Sequence, residues 1–213
     1  MKAVLVNYSY DPVWLKDYPD IEPIIYDRTE GPADHLFQYG PTIKTENRGD
    51  VDYDKLGWLI ENYDNLPDVF LWSKSNVFKF ISEEEFKKVR NNSSFTPLLT
   101  LNHRIYSDRF SEVNKYVPGV NGLIYAERAD SWYFNAGLDN SGRFKSWQEW
   151  AHFFGLPQEN YVPFAPGGSY ILTREAVRKH AKDLYIAMRD TLPYAKHPVE
   201  AHCCERSYYY LFR

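Results

Sequence analysis

The sequence predicts an α/β fold with a central, mixed and mostly parallel sheet flanked by helices. Three observations lead there. Short apolar runs at Ala3–Asn7, Glu22–Tyr26 and Val69–Trp72 each end in polar residues, as buried parallel strands do where they leave a sheet. An amphipathic stretch, Asp52–Tyr63, lies between the second and third runs, the alternation expected of strands joined by helical crossovers. The 213 residues suffice for one large core, and no linker, repeat or low-complexity tract divides them. A single domain, 1–213, follows, with an alternating half to about residue 130 and a mixed half from 131 onward.

Each element has its own signal. Ala3–Asn7 is rich in β-branched residues and opens into Asn7-Tyr8-Ser9, a strand followed by a polar loop. Asp11–Asp20 has room for one helical turn or a loop. Glu22–Tyr26 is a second strand closed by Asp27-Arg28. In Asp52–Tyr63 the residues Leu56, Leu59, Ile60 and Tyr63 share a face, and Pro67 stops the helix before the strand Val69–Trp72. Ser82 with Glu85 reads as a capping box opening a helix that Lys87, Lys88 and Arg90 close. Leu98–Leu101, Gly122–Ala126, Trp132–Asn135 and Gly168–Leu172 are further strand candidates, and Trp147–Phe154 is a short aromatic helix. Thr173 caps a helix from Arg174 to about Leu192, and Pro198 opens, from its first turn, a last helix reaching Phe212.

Composition narrows the function. A net charge of -4, a pI near 5.9 and the absence of a basic block argue against nucleic acid as a partner. No apolar run is long enough for a membrane span or a signal peptide, so the expected setting is soluble. Cys203 and Cys204 are adjacent, a geometry unsuited to a disulfide, which points to a reducing compartment, the cytoplasm. Aromatic residues make up 17% of the chain, which suits either an ordinary core or a surface that grips sugars and bases.

Three strand ends carry polar residues: Asn7-Tyr8, Asp27-Arg28 and Trp72-Ser73-Lys74-Ser75. In parallel neighbours these ends form one crevice, the usual ligand position in open α/β sheets, here of a size for a base and a ribose. Each residue also has a plain reading as a strand-end cap or solvated turn.

The chain resembles the nucleotide-sugar glycosyltransferases with a single Rossmann-like domain of the A fold. The run Val69–Ser82 is similar to their metal-binding strand and the helix after it. Trp132-Tyr133-Phe134-Asn135-Ala136-Gly137 is similar to a segment of the retaining galactosyltransferase and glycogenin-like branches, and Pro166-Gly167-Gly168-Ser169-Tyr170-Ile171-Leu172-Thr173-Arg174 to the Gly-rich strand of the acceptor half. Asn62–Asp68 and Glu205-Arg206 resemble an uncharacterised fungal family thought to share the fold, and most of the chain is similar to the N-terminal glycosyltransferase domain of a large multidomain viral protein. The resemblance implies a UDP-sugar donor of a hexose or deoxyhexose, a glycan or glycoprotein acceptor, a retaining outcome, Mn²⁺ or Mg²⁺ as cofactor, and host cytoplasm for a viral member.

It also implies site residues. Asn135, Gly167 and Gly168 fall where the donor sugar and acceptor are held, and Tyr209 shares a helix face with His202 and Glu205. The Asp-x-Asp position reads Ser73-Lys74-Ser75, without a carboxylate. Either Lys74 supplies positive charge directly, or the metal ligands come from Asp130 and His202. Glu205 is the catalytic candidate, a carboxylate for the acceptor proton or for charge at the anomeric carbon; its plain reading is an ion pair with Arg206. A glycan-binding module without nucleotide is the alternative function. A metal phosphoesterase lacks a clustered His/Asp motif.

Overall fold

The computed structural model describes residues 1–101, 114–129, 132–134 and 141–213. Its central sheet has six strands, β1 (Lys2–Asn7), β2 (Glu22–Asp27), β3 (Thr42–Lys44), β4 (Val69–Lys74), β5 (Thr96–Pro97) and β9 (Tyr170–Thr173), in the order β3-β2-β1-β4-β9-β5. The strands β1, β2, β3 and β4 run parallel. β9 lies antiparallel to both β4 and β5, so the second half of the chain contributes a strand to the interior of the first half's sheet. Asn7 pairs with Asp27, and Val6 with Lys74, which brings the carboxyl ends of β1, β2 and β4 level.

The fold is a mixed, mostly parallel α/β sheet with helices on both faces. Alternation along the strands sorts the apolar residues between those faces. Val4, Val6, Phe70, Trp72, Tyr170 and Leu172 meet the first helix (Asp50–Glu61) and the C-terminal helix (Val199–Phe212). Ala3, Leu5, Leu71 and Ile171 meet the turn Val13–Asp17 and the helix Glu83–Val89, through Trp14, Leu15 and Phe86. The aromatic content goes largely into this core: Trp14, Trp58, Trp72, Trp147 and Trp150 are all buried. A smaller antiparallel sheet, β6 (Asn114–Gly119), β7 (Gly122–Arg128) and β8 (Tyr161–Pro163), completes the second half. No helix among the described residues is long and apolar enough to cross a membrane.

Several elements differ from the sequence expectation, each for a physical reason. The strand expected at Leu98–Leu101 is instead Thr96–Pro97, because Thr96 and Pro97 face Ile171 and Tyr170 while Leu98 is buried just beyond. Ser82 caps its helix by accepting from the Glu85 N–H at 3.2 Å, but its own N–H donates to Thr100 Oγ1 at 2.7 Å, so the reciprocal half of a capping box is not made. Thr173 Oγ1 accepts from the Ala176 N–H, as expected. That helix is split into Arg174–Arg178 and Lys182–Arg189 by an extended Ala181, and the Tyr63 hydroxyl donates to the His180 carbonyl at the break, at 2.6 Å. Trp132–Phe134 is a 3-10 turn rather than a strand, and Pro198 sits at the cap of the last helix, one place before the first turn.

Candidate functional site

The strand order makes β1 and β4 a switch point. From β1 the chain moves to β2 and β3 on one side, then returns past β1 to place β4 on the other. Crossovers that leave in opposite directions part at the carboxyl ends of such a pair and open a crevice there. In this chain the crevice has a volume of about 280 Å³, and its walls include Tyr8, Arg28, Asn47, Asp50, Lys74 and His197.

Part of what converges there ties the sheet together. Asn7 Nδ2 donates to Asp27 Oδ1 at 3.0 Å, and Ser75 Oγ donates to Asn7 Oδ1 at 2.8 Å. Lys44 Nζ and Thr29 Oγ1 each donate to Asp27 Oδ2 at 2.8 Å. Burial alone would raise the Asp27 carboxyl, but the hydrogen bonds from Lys44, Thr29 and Asn7 outweigh it and hold it below its ordinary range. Arg28 pairs with Asp54 at 2.8 Å and donates to the Arg48 carbonyl. Burial lifts the Asp54 carboxyl to about 6 despite that guanidinium. Asn7, Asp27 and Ser75 thus lock three strand ends in register, while Arg28 and Ser75 also reach the crevice wall.

Two residues of the expected nucleotide set turn inward. Trp72 packs on Tyr208 and Phe212, with ring centroids 5.5 and 5.9 Å away. Ser73 Oγ lies 2.9 Å from Ser169 Oγ, both buried. Tyr8 is 46% exposed, with Lys196 over its ring. Lys74 makes no hydrogen bond or ion pair among the described residues and lines the crevice. Burial disfavours its charge, yet the carboxylates of Asp50, Glu205 and Asp52 outweigh that and raise its pKa.

Asp50 is a crevice residue that the periodicity of the first helix did not reach. Its Oδ1 accepts from the Val51 N–H at 2.6 Å, and its Oδ2 lies 3.5 Å from His197 Nδ1. Burial would raise this carboxyl; His197, Lys74 and the Val51 N–H together hold it well below the usual range. The available signal was Gly49-Asp50-Val51-Asp52, a glycine followed by two first-turn carboxylates at a helix start.

Behind Lys74 the first helix, the Gly167-Gly168 turn and the C-terminal helix meet around a buried polar cluster. Lys55, fully buried, donates from Nζ to the Gly168 carbonyl at 2.7 Å. Tyr208 donates from its hydroxyl to Asp52 Oδ1 at 2.8 Å. Glu205 Oε1 accepts from the Gly167 N–H at 2.5 Å, and its Oε2 from Arg206 Nη1 at 3.2 Å. Burial drives Asp52 up to about 7 and Lys55 down to about 8, each opposed by the other's charge. Gly167 and Gly168 have φ of 85° and 60°, and a Cβ on Gly167 would lie 2.4 Å from Phe80, so the close turn requires glycine. Glu205, Gly167 and Gly168 are therefore brought together, and the Glu205 carboxylate is one of the charges that act on Lys74.

The other candidates separate. Tyr209 accepts from the Val120 N–H at 3.2 Å and packs on Phe95, at the small-sheet side of the C-terminal helix. Glu200, a carboxylate near Glu205 in sequence, accepts from the Phe144 N–H at 3.3 Å and from the Tyr194 hydroxyl. His202 stacks on Tyr133 at 5.4 Å, and burial, with Arg206 nearby, lowers its pKa to about 3. Asp130 and Asn135 lie outside the described residues. Among the described residues no three His, Cys, Asp or Glu side chains are grouped to hold a metal ion. The donor set at the strand end, Ser73, Lys74 and Ser75, places an ammonium where the resemblance implies oxygen ligands, and so fits a divalent cation poorly.

Comparison with protein-family models, curated proteins and solved structures finds no match to this chain.

Proposed function

We propose that the chain is a Rossmann-like, A-fold glycosyltransferase that moves a hexose or deoxyhexose from a UDP-sugar to a hydroxyl of a glycan or glycoprotein, with retention. The observation that carries this reading is the crevice at the β1/β4 switch point, with Lys74 on its wall. A nucleotide there sets its base against the exposed ring of Tyr8, since aromatic faces stack on bases. Its diphosphate meets Lys74, whose charge the surrounding carboxylates maintain. Glu205, anchored by Gly167 and Arg206, is the carboxylate of this reading that acts on the sugar, accepting a proton or steadying positive charge at the anomeric carbon.

Thermal unfolding with UDP, in Mn²⁺ and in chelator, tests the reading, because a ligand that binds only the folded state raises stability by mass action. The expected result is a rise in melting temperature with UDP. Stabilisation by oligosaccharide alone, with none by UDP under either condition, would replace this function with glycan binding. Incubation with a UDP-sugar and an acceptor, followed by determination of the product's anomeric configuration, tests transfer and retention.

A further inference from the structure

Asp50 has φ of 50° and is the one non-glycine residue at positive φ among the described residues. That conformation crowds Cβ against the following carbonyl in most L-residues, with glycine exempt and asparagine and aspartate the least averse. The surroundings enforce it. Gly49, just before, has φ of 69°, and a Cβ there would lie 2.7 Å from Tyr53 Cβ and 3.0 Å from Leu192 Cβ. The Gly49 and Asp50 N–H groups donate to the Ala195 and Lys196 carbonyls at 2.7 and 3.1 Å, which ties the first helix to the segment before the C-terminal helix. All of these bonds are made by backbone, so glycine or asparagine at position 50 would make them equally well. What aspartate adds is a carboxylate on the crevice wall, beside His197 and within the field of Lys74. A strained residue that persists under such enforcement is a pointer to ligand contact.

We propose that Asp50 binds a pair of neighbouring hydroxyls on the nucleotide sugar, of the ribose or of the transferred sugar, while Lys74 takes the diphosphate. This assignment rests on the reading of the crevice as a UDP-sugar site. An ionised carboxylate only accepts, with about four lone-pair positions on its two oxygens. The Val51 N–H takes one at 2.6 Å and His197 approaches another, which leaves acceptor capacity for a ligand. Adjacent hydroxyls offer two donors side by side, whereas a phosphate would be repelled by the same group.

The test is calorimetric titration of the parent, Asp50→Gly and Asp50→Asn with UDP, 2′-deoxy-UDP and a UDP-sugar, in chelator and in Mn²⁺. Both variants should keep the fold, because glycine and asparagine suit the left-handed backbone, although each gives up the carboxylate's attraction to His197 and Lys74. Asp50→Gly should nevertheless bind about tenfold or more weakly, the scale for a hydrogen bond to a charged group. A loss seen with UDP and absent with 2′-deoxy-UDP assigns the carboxylate to the ribose. A loss seen only with the UDP-sugar assigns it to the transferred sugar. Parent affinity for every ligand in Asp50→Gly would overturn the proposal, as would a loss confined to Mn²⁺, which would make Asp50 a cation ligand. A parent protein that binds no UDP under either condition would overturn the UDP-sugar reading itself, and this assignment with it.

Discussion

Replacing Arg206 by methionine should be among the most damaging single changes to this fold. The guanidinium is 3% exposed and pairs with Glu127, itself 4% exposed, with Arg206 Nε donating to Glu127 Oε2 at 3.1 Å. It also donates to the His202 carbonyl at 3.0 Å and to Glu205 at 3.2 Å, and it lies over the rings of Tyr133 and Phe164 at 4.2 and 4.3 Å. Methionine keeps most of the apolar stem, so lost packing is a small part of the effect. The larger part is Glu127 left buried without its guanidinium, which costs about 3–5 kcal/mol when one partner of a buried pair is removed. Against a total stability of about 5–15 kcal/mol, that takes a large share of the folded protein's margin. Urea unfolding followed by tryptophan fluorescence would measure it for Arg206→Met, Glu127→Gln and the double variant. The double variant should lose less than the sum of the singles by about 2 kcal/mol or more, as contacting residues do. The loss in Arg206→Met should also shrink as pH falls, since a buried Glu127 deprived of Arg206 can take up a proton. A loss under about 1 kcal/mol, or strictly additive singles, would refute the view that this pair holds the C-terminal helix to β7.

Three further outcomes are expected. Gly167→Ala should cost about 2–4 kcal/mol, combining left-handed strain with a clash against Phe80, whereas Gly31→Ala, with φ of 91° and nothing within 4 Å, should cost only the strain; equal losses in denaturant titration would dismiss the clash. His202 has a folded pKa of about 3 against 6.5 when free, so between those values the unfolded chain binds a proton that the folded chain does not. Stability is therefore full above 6.5 and falls with acidification through that window, by about 1.4 kcal/mol per pH unit from this group, and His202→Gln should flatten the profile; identical pH slopes in parent and variant would show that His202 titrates normally. Glu205→Gln keeps size and hydrogen-bonding capacity, so turnover should fall while UDP affinity stays near the parent value; turnover within a few fold would leave Glu205 as a structural partner of Gly167 and Arg206.

The sequence by itself determined the strands at Ala3–Asn7, Glu22–Tyr26 and Val69–Trp72, the caps at Ser82 and Thr173, and the last helix to Phe212. These follow from local rules: a strand buried on both faces must be apolar throughout, and a cap bonds within three residues of itself. β3 has no signal in the sequence because it is a strand of three residues at the sheet edge, paired among the described residues with β2 and largely exposed, so it carries no apolar period. Only the tertiary structure decided which strand-end residues face the crevice. Asn7 and Asp27 bind each other across 20 residues, Ser73 turns to Ser169 across 96, and Lys55 reaches the Gly168 carbonyl across 113. It also decided that Lys74 stands on the crevice wall, its ammonium over the Phe80 ring, while the bonds of Gly49 and Asp50 to the carbonyls of Ala195 and Lys196 hold Asp50 at the same wall. Residue type limits what a side chain can bond, but which partner it meets depends on the insertion of β9 beside β4 and the docking of the C-terminal helix, contacts between segments that no local period records.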